Sequence, residues 1–384
     1  VDWNLSVASE EIIAVRLTQT EKESGKERTH HATYWYDATD ANTAYSTELL
    51  DGQEELVTLN ELVKEALADE EHVRASALHP IVRLYDSIGF NPDGDLVVEF
   101  DQGQVAPEDE GRISVVIDKQ EAAPLLSEFG ERAQTAAATV ASDVQLADAP
   151  QESQKDSAEK PAPGAIPVVQ DGDPDCSTAE SKCIALTFDD GPGKRTSELL
   201  DALDEYEAKA TFFVTGEEPL REYPEVVQRE YAEGHELANH TMVHPDLTTV
   251  SRAEVKNELT TLNALVRRDT GYTMNLMRPP YGASDDTVSE VSEEMGLAQI
   301  MWSIDTYDWR DRDPDKVAKR VMKDAEPGSI VLMHDIHGST IDAVPTILEK
   351  LDEKGYTMVT VSQLLGETEP GESYRDGHPD SDEK

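Results

Sequence analysis

C-I-A-L-T-F-D-D-G-P-G, residues 183–193, decides how this chain is read. The apolar run up to Phe188 predicts a buried strand. It ends on two adjacent carboxylates, Asp189 and Asp190, and Gly191, Pro192 and Gly193 then force a tight turn. Two acids at the mouth of a buried strand are costly unless a cation stands beside them. An Asp pair ahead of a helix also suits an ordinary turn or N-cap, and the stretch alone leaves both readings open.

Working outward, the chain alternates between strand and helix. Residues 184–188 predict the first strand, followed by a helix over 196–206, a strand over 210–214 and a helix over 219–232. A short strand over 235–238 precedes an amphipathic helix over 251–268 that opens on an N-cap serine, Ser251. Strand 276–277 leads into R-P-P-Y-G (278–282), a helix over 284–295 and a strand over 297–304. Asp313-Pro314 caps a helix to 322; strand 329–333, helix 340–354 and strand 356–361 close the pattern. This is an α/β unit, a parallel sheet covered by helices. About seven strands, with polar residues at their C-terminal ends, fit a closed barrel bearing a site on that face. An open doubly wound sheet is the alternative, and no glycine-rich phosphate loop supports it.

Residues 1–130 predict a smaller α+β accessory domain. Strands over 3–9, 11–20 and 29–36 form a meander; 56–68 carries apolar residues at helical spacing; strands over 96–100 and 113–117 flank an acidic loop. Leu125, Leu126 and Phe129 predict a last helix ended by Gly130. Residues 131–175, rich in Ala, Gln, Ser, Asp and Pro, predict a linker, the 176–366 segment the barrel, and 367–384 a disordered acidic tail.

The formal net charge of the 384 residues is -47. Such a field repels nucleic acid and anionic membrane surfaces, so neither is an expected partner. The acids are spread along the chain, which favours a solubility device for a salty or extracellular setting over capture of a cationic partner. The only cysteines, Cys176 and Cys183, predict a short-loop disulfide and hence export, with free thiols as the other reading. No apolar run reaches the roughly 18 residues of a membrane span, so no membrane insertion is expected. A first residue of Val1 is compatible with a removed leader or anchor.

The polar residues that stand out fall just after strands. His240 and His244 in H-T-M-V-H, spaced i, i+4, predict two imidazoles on one side of a helical turn. Two histidines and a carboxylate form the ligand set of a hydrolytic zinc site, although a lone H-x-x-x-H is more often two solvent-facing rings. Arg278 opens a turn stiffened by two prolines and is placed to anchor a carboxylate. D-T-Y-D-W (305–309) and L-M-H-D (332–335) complete the set, the latter offering a proton-donating histidine.

These five motifs, T-F-D-D-G, H-T-M-V-H, R-P-P-Y-G, D-T-Y-D-W and L-M-H-D, occur in the order found in polysaccharide deacetylases of the NodB-homology type, carbohydrate esterase family 4, and residues 182–365 resemble that family. The resemblance implies an irregular (β/α) barrel. It implies that Asp190, His240 and His244 hold a divalent metal, zinc or a cobalt-like substitute. Asp189 is then the general base, Arg278 its orienting partner, His334 the general acid and Asp308 the residue that sets its protonation. Tyr281 supplies a backbone N–H to the oxyanion, and Trp309 and Leu332 wall the acetyl pocket. The implied partner is an N-acetylated glycan: peptidoglycan first, then chitin, then O-acetylated xylan. A carbohydrate-binding protein without catalysis is kept as another class. The first domain, through S-A-L-H-P (76–80) before a meander, resembles the extracytoplasmic module that precedes the deacetylase domain in some Gram-positive peptidoglycan deacetylases, and a wall-associated partner is expected for it.

Overall fold

In the computed structural model the described residues are 2–9, 11–23, 26–39, 42–138, 174–178, 181–216 and 219–377. The chain divides into two units, Val1–Ile166 and Pro167–Lys384. In the first, strands β1 (Asp2–Ala8), β2 (Ile12–Glu23), β3 (Lys26–Asp37) and β4 (Asn42–Tyr45) form an antiparallel sheet in chain order. Alternation along β2 and β3 turns Ala14 and Trp35 into the core, and Trp35 meets Phe90 and Phe129 edge-on with ring centroids 6.2 Å apart. A second sheet joins β5 (Ile88–Phe90), β6 (Leu96–Phe100) and β7 (Ile113–Ile117), and the helix Gln53–Ala66 buries Leu56, Leu59 and Val63 at helical spacing.

The end of this unit differs from expectation. The last helix, Glu128–Ala137, starts where it was expected to stop: Ser127 caps it, and Gly130 lies inside it. Glycine there is a packing requirement, because a methyl group at Gly130 would run into the Leu49 carbonyl oxygen. The helix also takes up the first part of the expected linker, most of which lies outside the described residues.

The second unit is built on nine strands among the described residues: β8 (Cys183–Asp189), β9 (Thr211–Val214), β10 (Glu236–Asn239), β11 (Leu276–Met277), β12 (Ala298–Ile300), β13 (Ile304–Asp305), β14 (Ile330–His334), β15 (Thr357–Val359) and β16 (Ser373–Tyr374). Its order is β13-β14-β8-β9-β10-β11-β12-β16, with β15 beside the start of β8, and every pairing is parallel. The expected single strand over 297–304 is two, β12 and β13, which lie toward opposite ends of this order. The four steps from Ile300 to Ile304 reach at most about 14 Å, so the sheet must curl until its ends approach each other. Among the described residues those ends do not pair, so the barrel is curled but open rather than closed.

Helix breaks follow chemistry. The expected helix over 219–232 is two, Pro219–Glu222 and Pro224–Ala232, because Pro224 lacks the N–H that would continue the first. The tail expected to be disordered from residue 367 instead supplies β16. Gln299 donates to the Glu372 carbonyl at 2.8 Å and Met301 to that of Tyr374 at 2.7 Å, filling the open edge of β12; residues 378–384 lie outside the described residues. Cys176 and Cys183 form a disulfide at the entry to β8. Among the described residues no helix is long and apolar enough to cross a membrane.

Gly130→Ala should destabilise the first unit by about 1–3 kcal/mol, the usual cost of forcing a methyl into a filled contact. Urea unfolding followed by Trp35 fluorescence measures it, and an unchanged midpoint would remove the packing explanation.

Candidate active site

Every residue of β8 is buried, so the strand delivers Asp189 to the barrel rim with its carboxylate almost sealed from water. The paired strand β14 sets His334 opposite Asp189 in register. At Asp190 the backbone turns left-handed, φ 72°, which swings the second carboxylate away from the first. Gly191 is required below it, because a methyl group would strike the buried Asp335 carboxylate. Asp335 in turn accepts from the Thr196 hydroxyl at the start of the following helix. Burial pushes Asp335 up to about 7.

Arg278, wholly buried, holds Asp189. Its Nη1 donates to Asp189 Oδ1 at 2.6 Å and to Thr187 Oγ1 at 2.9 Å, while Nε and Nη2 each reach a carbonyl, of Ile300 and Met301, at 2.9 Å. The guanidinium also lies 4.0 Å over the Phe213 ring. Those two carbonyls are the ones freed where β12 breaks before β13. Burial raises the Asp189 carboxyl above its ordinary value, against the opposing charges of Arg278 and His334.

His240 and His244 do not share a helical turn as expected. β10 ends at Asn239, and the next residues form an irregular loop with Thr241 and His244 left-handed, φ 69° and 55°. Its N–H groups are capped by side chains: Thr241 donates to Asn239 Oδ1, Met242 and Val243 to Glu258 Oε2, and His244 to Thr241 Oγ1. The result still brings His240 and His244 Nε2 to 3.5 and 3.3 Å from Asp190 Oδ1. These are three donor atoms within 4.8 Å of one another.

The donors fit a divalent cation. Asp190 Oδ1 is buried with no hydrogen-bond partner among the described residues. His240 Nδ1 donates to the Arg278 carbonyl at 2.7 Å, which leaves Nε2 as the lone-pair nitrogen facing Asp190. Burial pushes His240 down to about 3, so its imidazole stays neutral at physiological pH. The Tyr281 ring packs edge-on against His244, centroids 4.7 Å apart, and limits its rotation.

His334 and Asp308 form a second unit across the rim. Asp308, fully buried, accepts from His334 Nδ1 at 2.9 Å, His334 N at 2.8 Å, Thr340 Oγ1 at 2.6 Å and Trp309 N at 2.8 Å. Burial works against a charged His334, but the hydrogen bond and charge of Asp308, with Asp189 and Asp190, outweigh it and raise the imidazole to about 9. Burial likewise raises Asp308, yet its bonds to His334 and Thr340 bring it below the ordinary carboxylate value.

Tyr281 stands in a 3-10 turn at φ 61°, early enough that its N–H has no partner within that turn, and its ring is exposed. Leu332 is buried two residues before His334 on the same face of β14, and half-exposed Trp309 follows Asp308. The supporting residues Thr187, Phe213, Thr340 and Glu258 were not legible as functional. Each is an ordinary core or helix residue until the fold places it behind a site side chain.

At the rim of the (β/α) barrel a buried, arginine-held carboxylate thus stands beside three donor atoms spaced for a cation and an imidazole raised to about 9. The polysaccharide deacetylase family pattern matches residues 177–300. A peptidoglycan-N-acetylglucosamine deacetylase of Listeria monocytogenes, PgdA, is 46% identical over 49% of this chain and 40% of its own length. Another of that name, from Bacillus cereus, is 40% identical over 46% of this chain and 68% of its own. A solved structure described as a T48 deacetylase with substrate matches with 40% identity and TM-score 0.50, covering 52% of this chain and 98% of that one. The chain belongs to the polysaccharide deacetylase family. It spans less than half the length of the Listeria relative.

His240→Ala should lower the divalent-metal content of the purified protein, which elemental analysis reads directly. The substitution removes one of the three candidate donors, the buried neutral imidazole. Metal retained at parental stoichiometry would place the ion elsewhere.

Proposed function

We propose that this chain is an exported, metal-dependent deacetylase that hydrolyses the N-acetyl groups of N-acetylglucosamine residues in peptidoglycan, with zinc as the first-choice metal and cobalt or a similar ion as a substitute. The observation that carries the reading is the divergence of Asp189 and Asp190. Asp189 is held by an arginine through one oxygen, with the other 3.6 Å from His240 Nε2, whereas Asp190 lies between both imidazoles and touches no arginine among the described residues. The names of the similar proteins support the choice of polymer, and the Cys176–Cys183 disulfide fits an oxidising compartment.

Each residue then has a task. A cation held by Asp190, His240 and His244 supplies polarisation of the acetyl carbonyl and a lowered pKa for bound water. Asp189 takes the proton of the attacking water; Arg278 keeps it ionised and fixes its direction. The Tyr281 N–H meets the developing oxyanion, a contact of a kind worth about 3–4 kcal/mol in other hydrolases. His334, protonated at neutral pH, gives its proton to the leaving amine, and Asp308 maintains that charge. Leu332 and Trp309 offer apolar surface to the acetyl methyl.

Acetate release from peptidoglycan, chitin oligomers and acetylated xylan, with and without chelator, tests the reading. Chelator-sensitive release from peptidoglycan is expected, and Asp189→Asn should lose at least about a thousandfold in kcat while keeping its metal. Faster release from chitin or xylan would reassign the substrate, and none from any of the three would leave a binding protein.

The pH profile gives a separate check. His334 must hold its proton to act, so kcat/KM should fall as pH rises through about 9. Asp308→Asn removes the partner that raises His334, and should move this alkaline limb down toward the ordinary imidazole value. An alkaline limb that stays in place would assign it to another group.

A further inference from the structure

Among the described residues, one face of the four-stranded sheet β1–β4 is left exposed. Cross-strand register sets Leu5, Val15, Tyr34 and Tyr45 in a single row across all four strands, with Trp3 and Leu17 in the neighbouring row. Opposed residues on adjacent strands share a face. This is the face opposite Ala14 and Trp35. Trp3 is 68% exposed, Leu5 51%, Tyr34 45% and Tyr45 53%. Neither row contains a charged residue, although 29% of the chain is charged.

We propose that this face is a glycan-binding platform whose occupant is the N-acetylated glycan strand of peptidoglycan. The proposal rests on the substrate reading above and adds to it a second, non-catalytic site. Scattered exposed apolar residues need no explanation, but a contiguous aromatic patch marks an interaction surface. Charge selects the occupant. A second copy of the chain would bring its own net charge of -47 and be repelled, as would an anionic lipid surface. A cationic protein would be drawn to exposed acids, and these two rows carry none.

The faces of pyranose rings are uncharged and carry C–H groups, which match the negative faces of Trp and Tyr rings, while sugar hydroxyls at the edges can reach the tyrosine hydroxyls. Strand spacing makes the row from Leu5 to Tyr45 about 14 Å long, enough for consecutive sugars of an extended strand. Because the platform and the catalytic unit are parts of one chain, binding here raises the local concentration of polymer for the barrel without any new contact to it.

Co-sedimentation of the full chain with insoluble peptidoglycan and with insoluble chitin tests the proposal. The triple variant Trp3→Ala/Tyr34→Ala/Tyr45→Ala should bind peptidoglycan at least about tenfold more weakly. Its acetate release from short soluble chitin oligomers should stay parental. The ring-preserving variant Trp3→Phe/Tyr34→Phe/Tyr45→Phe should retain binding. If the triple variant fails to fold, Trp3→Ala alone makes the same comparison at a side chain with few contacts to lose. Three results would overturn the platform: unchanged sedimentation of the alanine variants, retention on chitin but not on peptidoglycan, or a parental dimer that these substitutions convert to monomer. A parent that sediments through these rings yet releases no acetate would sustain the platform and defeat the catalytic reading instead.

Discussion

The buried ion pair between Arg278 and Asp189 organises the barrel unit. A guanidinium with no exposure survives only if each of its nitrogens is met, and here the partners come from two places in the chain: Thr187 and Asp189 on β8, and the Ile300 and Met301 carbonyls at the end of β12. Removing one member of such a pair typically costs about 3–5 kcal/mol, because the other charge stays buried. The pair therefore does two jobs. It aims one carboxylate, and it satisfies the backbone where the curled sheet leaves a gap between β12 and β13.

The second constraint is backbone strain. Asp190, Thr241, His244, Tyr281 and Tyr307 all have positive φ, and all lie in the five motifs. Non-glycine residues in this region cost about 1–3 kcal/mol each and persist only where neighbours hold them. Side-chain caps do so at the His240–His244 loop, with Glu258 closing two N–H groups from a different element. The strain explains the divergence of Asp189 and Asp190: adjacent residues on an ordinary strand would point to opposite faces of the sheet, whereas the left-handed turn at Asp190 sends its carboxylate toward the imidazoles.

Electrostatics sorts the acids of the site by their partners. Asp308 receives four hydrogen bonds and stays ionised in a buried position, so His334 keeps its proton. Asp335, with fewer donors, is raised toward neutrality and serves as a support beneath the Gly191 turn. Similar side chains thus end with different charge states according to who donates to them.

Much of this was legible in the chain itself. The β/α alternation, the Ser251 and Asp313 caps and the five motifs are local patterns, carried by residues near one another in the chain. The sequence did not reveal that the 297–304 strand breaks, that the polar tail supplies β16, that Gly130 sits inside a helix, or that His240 and His244 converge through a loop. Those outcomes depend on contacts made only on folding: the pairing of β12 with β16, the Leu49 carbonyl against Gly130 and the Glu258 cap on the His240–His244 loop. For the opening stretch, residues 183–193, sequence alone determined a buried strand ending in two acids and a turn. Only the tertiary structure decided that Arg278, 89 residues on, would hold Asp189 and that His240 and His244 would both reach Asp190, because the partners of a buried charge are chosen by where the sheet brings other strands.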